Sequence, residues 1–151
     1  MLRGLIGIPL LACVWLATAC EKEAEGPKVP PDQSRLRKAT DVFWALQELG
    51  FAVAKESPQK TRHGCKPHEY LAQKGAGEDI VSRFRISVFA CPTAEKAAEI
   101  VQHPHTRHVD DLLRNHHEGG VLRRRSLEIV VRMERGSPQE AEALMAALGA
   151  M

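Results

Sequence analysis

The segment from residue 80 to residue 90 alternates apolar and polar side chains, and this pattern constrains the fold more than any other in the chain. The apolar set is Ile80, Phe84, Ile86, Val88 and Ala90, and the polar set is Arg83, Arg85 and Ser87. A period of two residues is that of a β-strand. One apolar face beside one polar face is typical of an antiparallel sheet that is covered on one side.

Helix and strand signals surround this strand. Helical spacing and stop signals predict helices over about residues 32–49, 93–102, 105–116 and 137–148. Shorter apolar runs predict strands at 51–54, 66–73, 121–122 and 127–133. The last helix has the clearest start, because Ser137, Pro138 and Glu140 form an N-cap, a first-turn proline and a capping box. We expect an α+β fold, a two-layer sandwich with helices packed on one face of an antiparallel sheet.

The two halves of this domain have similar patterns. The strand at 85–89 leads into the helix that follows Thr93, and the strand at 128–132 leads into the helix that follows Ser137. This similarity predicts a strand-strand-helix pseudo-repeat. The alternative is coincidence, because any α+β domain contains short connections from strand to helix.

The N-terminus has the composition of a secretory signal. Arg3 gives a basic start, residues 5–16 are apolar apart from glycine, proline and one cysteine, and small residues occupy positions 17–19. The apolar run is shorter than the roughly 20 residues of a transmembrane helix. We therefore expect residues 1–19 to be a cleaved signal peptide, with an uncleaved signal anchor as the alternative.

Cys20 directly follows the small residues, and this arrangement resembles the lipobox of bacterial lipoproteins. The resemblance covers the leader, Cys20 and the segment after it. It implies that Cys20 becomes the lipidated first residue, with palmitate among its acyl chains, and anchors the protein to a membrane. In a Gram-negative cell this would be the outer membrane, facing the periplasm or the surface. The family prefers leucine where Ala17 stands, so ordinary cleavage after Ala19 and lipidation of Cys13 remain alternatives.

The cysteine count favours modification of Cys20. Ordinary cleavage leaves three cysteines, whereas lipidation of Cys20 leaves Cys65 and Cys91 to pair in an oxidising compartment. The alternative is a thiol pair for metal or redox chemistry, but the sequence has no C-x-x-C motif. We predict a structural disulfide. Residues 20–32 are rich in Glu, Lys and Pro, which predicts a flexible tether ahead of one domain at 33–151.

Histidines are concentrated in one segment, which contains His103, His105, His108, His116 and His117. His105 and His108 are three residues apart, a spacing that shares a helix face, and neighbouring imidazoles can hold zinc or copper. The alternative is a solvated helix face, and Pro104 separates His103 from the following helix. No cofactor is expected otherwise.

Arginines are candidates for a partner surface. Arg83 and Arg85 lie on the polar face of the predicted strand, and Arg123, Arg124 and Arg125 form a basic run. The run can contact lipid phosphates, or it can be the polar tip of a hairpin. Formal net charge is +2, or +1 without the leader, and aromatic content is 5%. The sequence therefore does not indicate nucleic-acid binding.

Familiar catalytic motifs are missing from the sequence. It has no G-x-S-x-G, no glycine-rich phosphate loop and no strand-linked G-x-G-x-x-G. A nucleophile formed by Cys65 and His68 would leave Cys91 unpaired. The sequence therefore predicts a non-catalytic envelope lipoprotein, held to the membrane by its N-terminal lipid, that binds or scaffolds an envelope protein partner. The alternative is a periplasmic metal-binding protein that uses the segment from His103 to His117.

Overall fold

The computed structural model describes residues 35–58 and 62–151. The predicted signal peptide, Cys20 and the predicted tether lie outside the described residues. Within the described ranges the chain forms four α-helices and five strands. In order they are α1 (Ala39–Glu48), β1 (Ala52–Glu56), β2 (Lys66–Lys74), β3 (Ser82–Ala90), α2 (Ala94–Gln102), α3 (Pro104–Asn115), β4 (Gly119–Arg124), β5 (Leu127–Arg135) and α4 (Pro138–Ala150).

The five strands form one sheet in the order β1-β2-β3-β5-β4, and every neighbouring pair is antiparallel. In the middle of the sheet, Ile86 of β3 lies opposite Tyr70 of β2 and Val131 of β5. The predicted α+β class with an antiparallel sheet is confirmed.

The alternation in β3 has the predicted consequence for burial. Phe84, Ile86 and Val88 are fully buried, whereas the residues between them are only half-buried. Helices α1 and α4 pack on this apolar face, with Leu46 and Leu148 in the same cluster. Burying one such side chain stabilises the fold by roughly 1.5–3 kcal/mol, so the alternation in β3 directs the main core.

Helices α2 and α3 form a second group, which refines the two-layer description. Ala97 and Ile100 of α2 cluster with the two cysteines and with Phe89. Phe89 follows Val88, so its side chain points to the sheet face opposite the main core. Both α2 and α4 contact β4 and β5. This end of the sheet therefore has helices on both sides, while the β1–β2 end has a wet face.

Two element boundaries differ from the sequence prediction. Helix α1 begins at Ala39 rather than near residue 32, because the Asp41 carboxylate accepts hydrogen bonds from the backbone N–H groups of Arg37 and Lys38, at 2.8 and 2.7 Å. The strand predicted at 121–122 is longer, because β4 spans Gly119–Arg124.

Helix α3 buries different residues from those predicted. Helical spacing places Val109, Leu112 and Leu113 together on this helix, but only Leu113 is buried, and Leu112 is 45% exposed. Thr106 is buried instead. None of the helices in the described part of the chain is long and apolar enough to cross a lipid bilayer.

Helix α4 begins as predicted, since the backbone N–H of Glu140 donates to the Ser137 hydroxyl and the backbone N–H of Ser137 donates to the Glu140 carboxylate. The pseudo-repeat is present in the order of the elements, as β2-β3-α2 and β4-β5-α4. The two helices lie on different sides of the sheet, so the similarity does not extend to their packing.

Candidate functional site

The predicted disulfide between Cys65 and Cys91 is confirmed. The register of β2 and β3 places Lys66 opposite Ala90, so the residues just outside the two strands also face each other. Their Cα atoms are 4.1 Å apart, and both side chains are buried. The disulfide joins the two strands at the open end of the β2–β3 hairpin, just before the chain enters α2.

A buried carboxylate lies next to this disulfide. Glu128 of β5 has an exposed fraction of 0%, and it lies opposite Phe89, on the sheet face that α2 covers. Its Oε1 atom is 3.1 Å from Nη1 of Arg62. The contact is electrostatic rather than an aligned hydrogen bond, because neither carboxylate oxygen has a hydrogen-bond partner among the described residues. Burial raises the pKa of Glu128, and the charge of Arg62 opposes this rise.

Arg62 connects this carboxylate to α3. Its Nη2 atom donates a hydrogen bond of 2.5 Å to the Thr106 hydroxyl, and its guanidinium lies 5.5 Å from the centre of the Phe89 ring. The neighbouring His63 ring lies 5.5 Å from the His103 ring. Arg62 occupies the position next to Glu128 that a cationic ligand would take. We therefore interpret this cluster as structural, since it connects the segment before β2 to the sheet and to α3.

The wet face of the sheet carries a network of charges around Arg85. Its Nη1 and Nε atoms lie 2.7 Å from carboxylate oxygens of Glu56 and Glu134, and Glu69 is 4.0 Å away. The hydrogen bond that Arg85 donates to Glu134 is the main cause that raises the pKa of Arg85. Three carboxylates therefore surround one cation, and the charge of Arg85 is balanced within its own domain. Arg83, on the same face, is half-buried.

The basic run lies at the hairpin between β4 and β5. Arg124 donates from Nε to the backbone carbonyl of Leu148, at 3.3 Å, near the end of α4. Arg125 has a φ of 51° in the turn. Arg123 is the most exposed of the three. The run is thus the tip of a hairpin, and Arg124 supports the last turn of α4, where a cation is favourable.

The five clustered histidines lie at three places. His103 is the N-cap of α3, and its Nδ1 accepts from the backbone N–H of His105 at 3.3 Å. His105 and His108 are exposed on α3, while His116 and His117 lie beyond its other end. A helix of this length separates its ends by about 16 Å. Within the described ranges, no group of three or more His, Cys, Asp or Glu side chains is arranged to hold a metal ion.

A groove of about 450 Å³ lies between α3, β4 and α4. Its apolar lining comes from β4 and α4, and consists of Gly119, Leu122, Ala141, Met145 and Ala146. This volume falls within the range of small-ligand and side-chain pockets. Methionine is unbranched and polarisable, so Met145 can adapt to ligands of different shape.

Charged residues form the rim of the groove. Arg114 donates from Nε to Asp110 at 2.8 Å, and the same carboxylate oxygen accepts from the backbone N–H of Val121 at 2.7 Å. On the α4 side, Nδ1 of His117 is 3.3 Å from Glu142. The rim therefore consists of polar side chains that already have partners, around an apolar floor.

Gly120 allows the helices to approach the strand closely. A Cβ atom on this residue would lie 2.8 Å from Oδ1 of Asp110 and 2.9 Å from Cε of Met145. Because the lining residues come from three separate elements, no linear motif in the sequence indicates the groove.

No known protein family matches the chain, no curated protein is significantly similar to it, and no solved structure matches it. Arguments about function therefore depend on the residues and the geometry.

Proposed function

We propose that this chain is an exported, non-catalytic lipoprotein, anchored to a membrane through a lipid on Cys20. In this proposal its folded domain binds another envelope protein through the groove between α3, β4 and α4. The Cys65–Cys91 disulfide supports the compartment, because such bonds persist mainly in oxidising environments. The groove, with its apolar floor and charged rim, is the observation that supports binding.

The groove fits an apolar side chain from a protein partner. Interfaces commonly consist of an apolar anchor that fills a pocket, surrounded by a polar rim that excludes water. The groove has this arrangement, with Leu122 and Met145 below and Arg114, His117 and Glu142 at the edge. The rim pairs Arg114 with Asp110 and places His117 next to Glu142, so its polar groups already have partners. It therefore favours a polar but uncharged surround rather than a strongly charged ligand.

Site-specific photo-crosslinking in intact cells tests this binding site. A photoreactive residue at Ala146, which is exposed and lines the groove, is expected to crosslink to one envelope protein. The matched control is the same residue at Ala143, which is exposed on α4 but lines a different depression. Equal crosslinking at both positions, or crosslinking at Ala146 to lipid alone, would contradict the proposal.

A binding measurement with the purified partner then tests the contact. Ala146→Arg places a long charged side chain at the mouth of the groove and is expected to weaken binding about tenfold or more, because this side chain would fill the groove and its charge would lose water in the interface. Ala143→Arg adds the same charge to the same helix and is expected to leave the affinity within about twofold. An unchanged affinity for Ala146→Arg would exclude the groove as the contact.

A further inference from the structure

The first turns of α1 expose a large aromatic side chain. Trp44 is 60% exposed, although its neighbours Val42, Ala45 and Leu46 are buried in the main core. Its ring packs edge-on against Phe43, with 5.2 Å between ring centres, so the indole is supported on one side. Tryptophan is favoured where an apolar surface meets water, above all at the headgroup level of a lipid bilayer.

Basic side chains lie at the start of α1 and beside Phe43, whereas Asp41 and Glu48 line a shallow depression with the indole itself. Arg37 and Lys38 are exposed just before α1, and their side chains have no ion-pair partner among the described residues. Lys55 lies on the same side of the domain, with its ammonium 5.3 Å from the centre of the Phe43 ring. The carboxylate of Asp41 is already engaged by two backbone N–H groups. Glu48 is paired with Arg35, so Arg37, Lys38 and Lys55 outnumber the one remaining carboxylate of α1. Anionic headgroups attract such an excess of basic residues near a bilayer.

The chain reaches the domain at this same surface. Arg35 is the first described residue, and its backbone N–H donates to the carbonyl of Met151 at 2.5 Å, which fixes the point of entry beside α1. Fourteen residues, 21–34, lie between Cys20 and Arg35. The chain from Cys20 to Arg35 spans at most about 50 Å when fully extended. An anchor on Cys20 therefore keeps the point of entry beside α1 within that distance of the bilayer.

We propose that the α1 surface, defined by Arg37, Lys38, Trp44 and Lys55, contacts the lipid headgroups of the membrane that holds the anchor. This proposal rests on the proposed lipid anchor at Cys20. The groove remains free, because α1 packs on β1, β2 and β3 while the groove borders β4, at the other edge of the sheet. Four strand spacings separate the outer strands, or about 19 Å.

The chain from residue 20 onward offers a direct probe of this contact. It contains a single tryptophan, Trp44, since Trp15 belongs to the leader. It also contains a single unpaired cysteine, Cys20, because Cys65 and Cys91 are bonded. Coupling Cys20 to a maleimide phospholipid in vesicles of phosphatidylethanolamine and phosphatidylglycerol therefore tethers the domain without requiring natural lipidation.

We expect the Trp44 emission to shift to shorter wavelength on tethering and to be quenched by phospholipids brominated near the headgroup. The matched control is Trp44→Phe combined with Leu112→Trp, which moves the single tryptophan to an exposed position on α3. The control is expected to show neither effect. Replacing Arg37 and Lys38 with glutamine is expected to reduce the quenching of Trp44, because the attraction to anionic lipid is lost.

Unchanged emission of Trp44 on tethering, or quenching no greater than in the control, would overturn the proposed membrane contact. This outcome is separate from a failure of the proposed function, since lipid on Cys20 is measured by mass and the groove by crosslinking. A shift that needs an added membrane protein would also overturn the lipid contact.

Discussion

The pair formed by Arg62 and Glu128 gives a sharp test of how the structure is stabilised. Replacing Arg62 with methionine keeps an apolar stem of similar length and removes the charge that faces Glu128. The carboxylate then remains buried without a partner, because its exposed fraction is 0% and its two oxygens accept no hydrogen bond among the described residues.

The distance and burial set the expected size of this effect. At 3.1 Å between charged atoms, Coulomb's law with an effective dielectric constant of 20 gives roughly 5 kcal/mol of attraction. Part of this is offset by desolvation, and breaking a buried pair typically costs about 3–5 kcal/mol. Because Arg62 is itself 20% exposed, we expect Arg62→Met to lower the free energy of unfolding by about 3 kcal/mol at pH 7.5.

The loss should depend on pH in a defined direction. Burial raises the pKa of Glu128 above its ordinary value of 4.5, and removing Arg62 takes away the cause that lowers it. The folded state then binds a proton more readily than the unfolded state, so stability falls as pH rises above 4.5 through the raised pKa. Arg62→Met is therefore expected to lower the free energy of unfolding by less at pH 5 than at pH 7.5.

Urea denaturation followed by circular dichroism measures both effects, as a change in midpoint at constant slope. Adding Glu128→Gln to Arg62→Met should restore much of the lost stability at pH 7.5, since no buried charge remains. Arg35→Met is the control, because Arg35 and Glu48 form an ion pair at a similar distance, 3.0 Å, but both side chains are mostly exposed. Exposed pairs contribute about 0–1 kcal/mol to stability. Equal losses for Arg62→Met at both pH values, or no recovery in the double variant, would refute the reasoning.

Three further predictions concern stability and use the same denaturation assay. Replacing Cys65 and Cys91 with alanine is expected to lower the free energy of unfolding by about 3 kcal/mol, because the bond closes a loop of 26 residues in the unfolded chain. A decrease equal to that of the reduced wild type supports this, and an unchanged free energy of unfolding contradicts it. Tyr70→Phe removes a buried hydrogen bond of 2.9 Å to the Ala39 carbonyl and should cost about 1–2 kcal/mol. Ser137→Ala removes the N-cap of α4 and should cost about 1 kcal/mol, whereas Ser137→Asp should cost much less.

Much of the fold could be predicted from the sequence because its signals are local. The alternation around Ile86 and the capping residues at Ser137 depend on neighbours within a few positions, and both have the predicted result. The pairing of Cys65 with Cys91 followed from counting cysteines, and the structure contains the bond.

The remaining features depend on contacts between distant segments. Glu128 occupies a strand position that alternation assigns to a polar face, and it is buried because α2 folds back over β5. Thr106 is inside for the same reason, since it meets Arg62, forty-four residues earlier in the chain. The groove likewise requires that α3, β4 and α4 meet, and periodicity within each element does not report this.

Intact-mass analysis of the protein purified from membranes tests the proposed lipoprotein most directly. We expect a chain of residues 20–151 that carries acyl groups on Cys20, and that gains the mass of two hydrogen atoms when the Cys65–Cys91 bond is reduced. An unmodified chain that begins at Cys20, a chain that retains its leader, or a lipid located on Cys13 would contradict the proposed anchor.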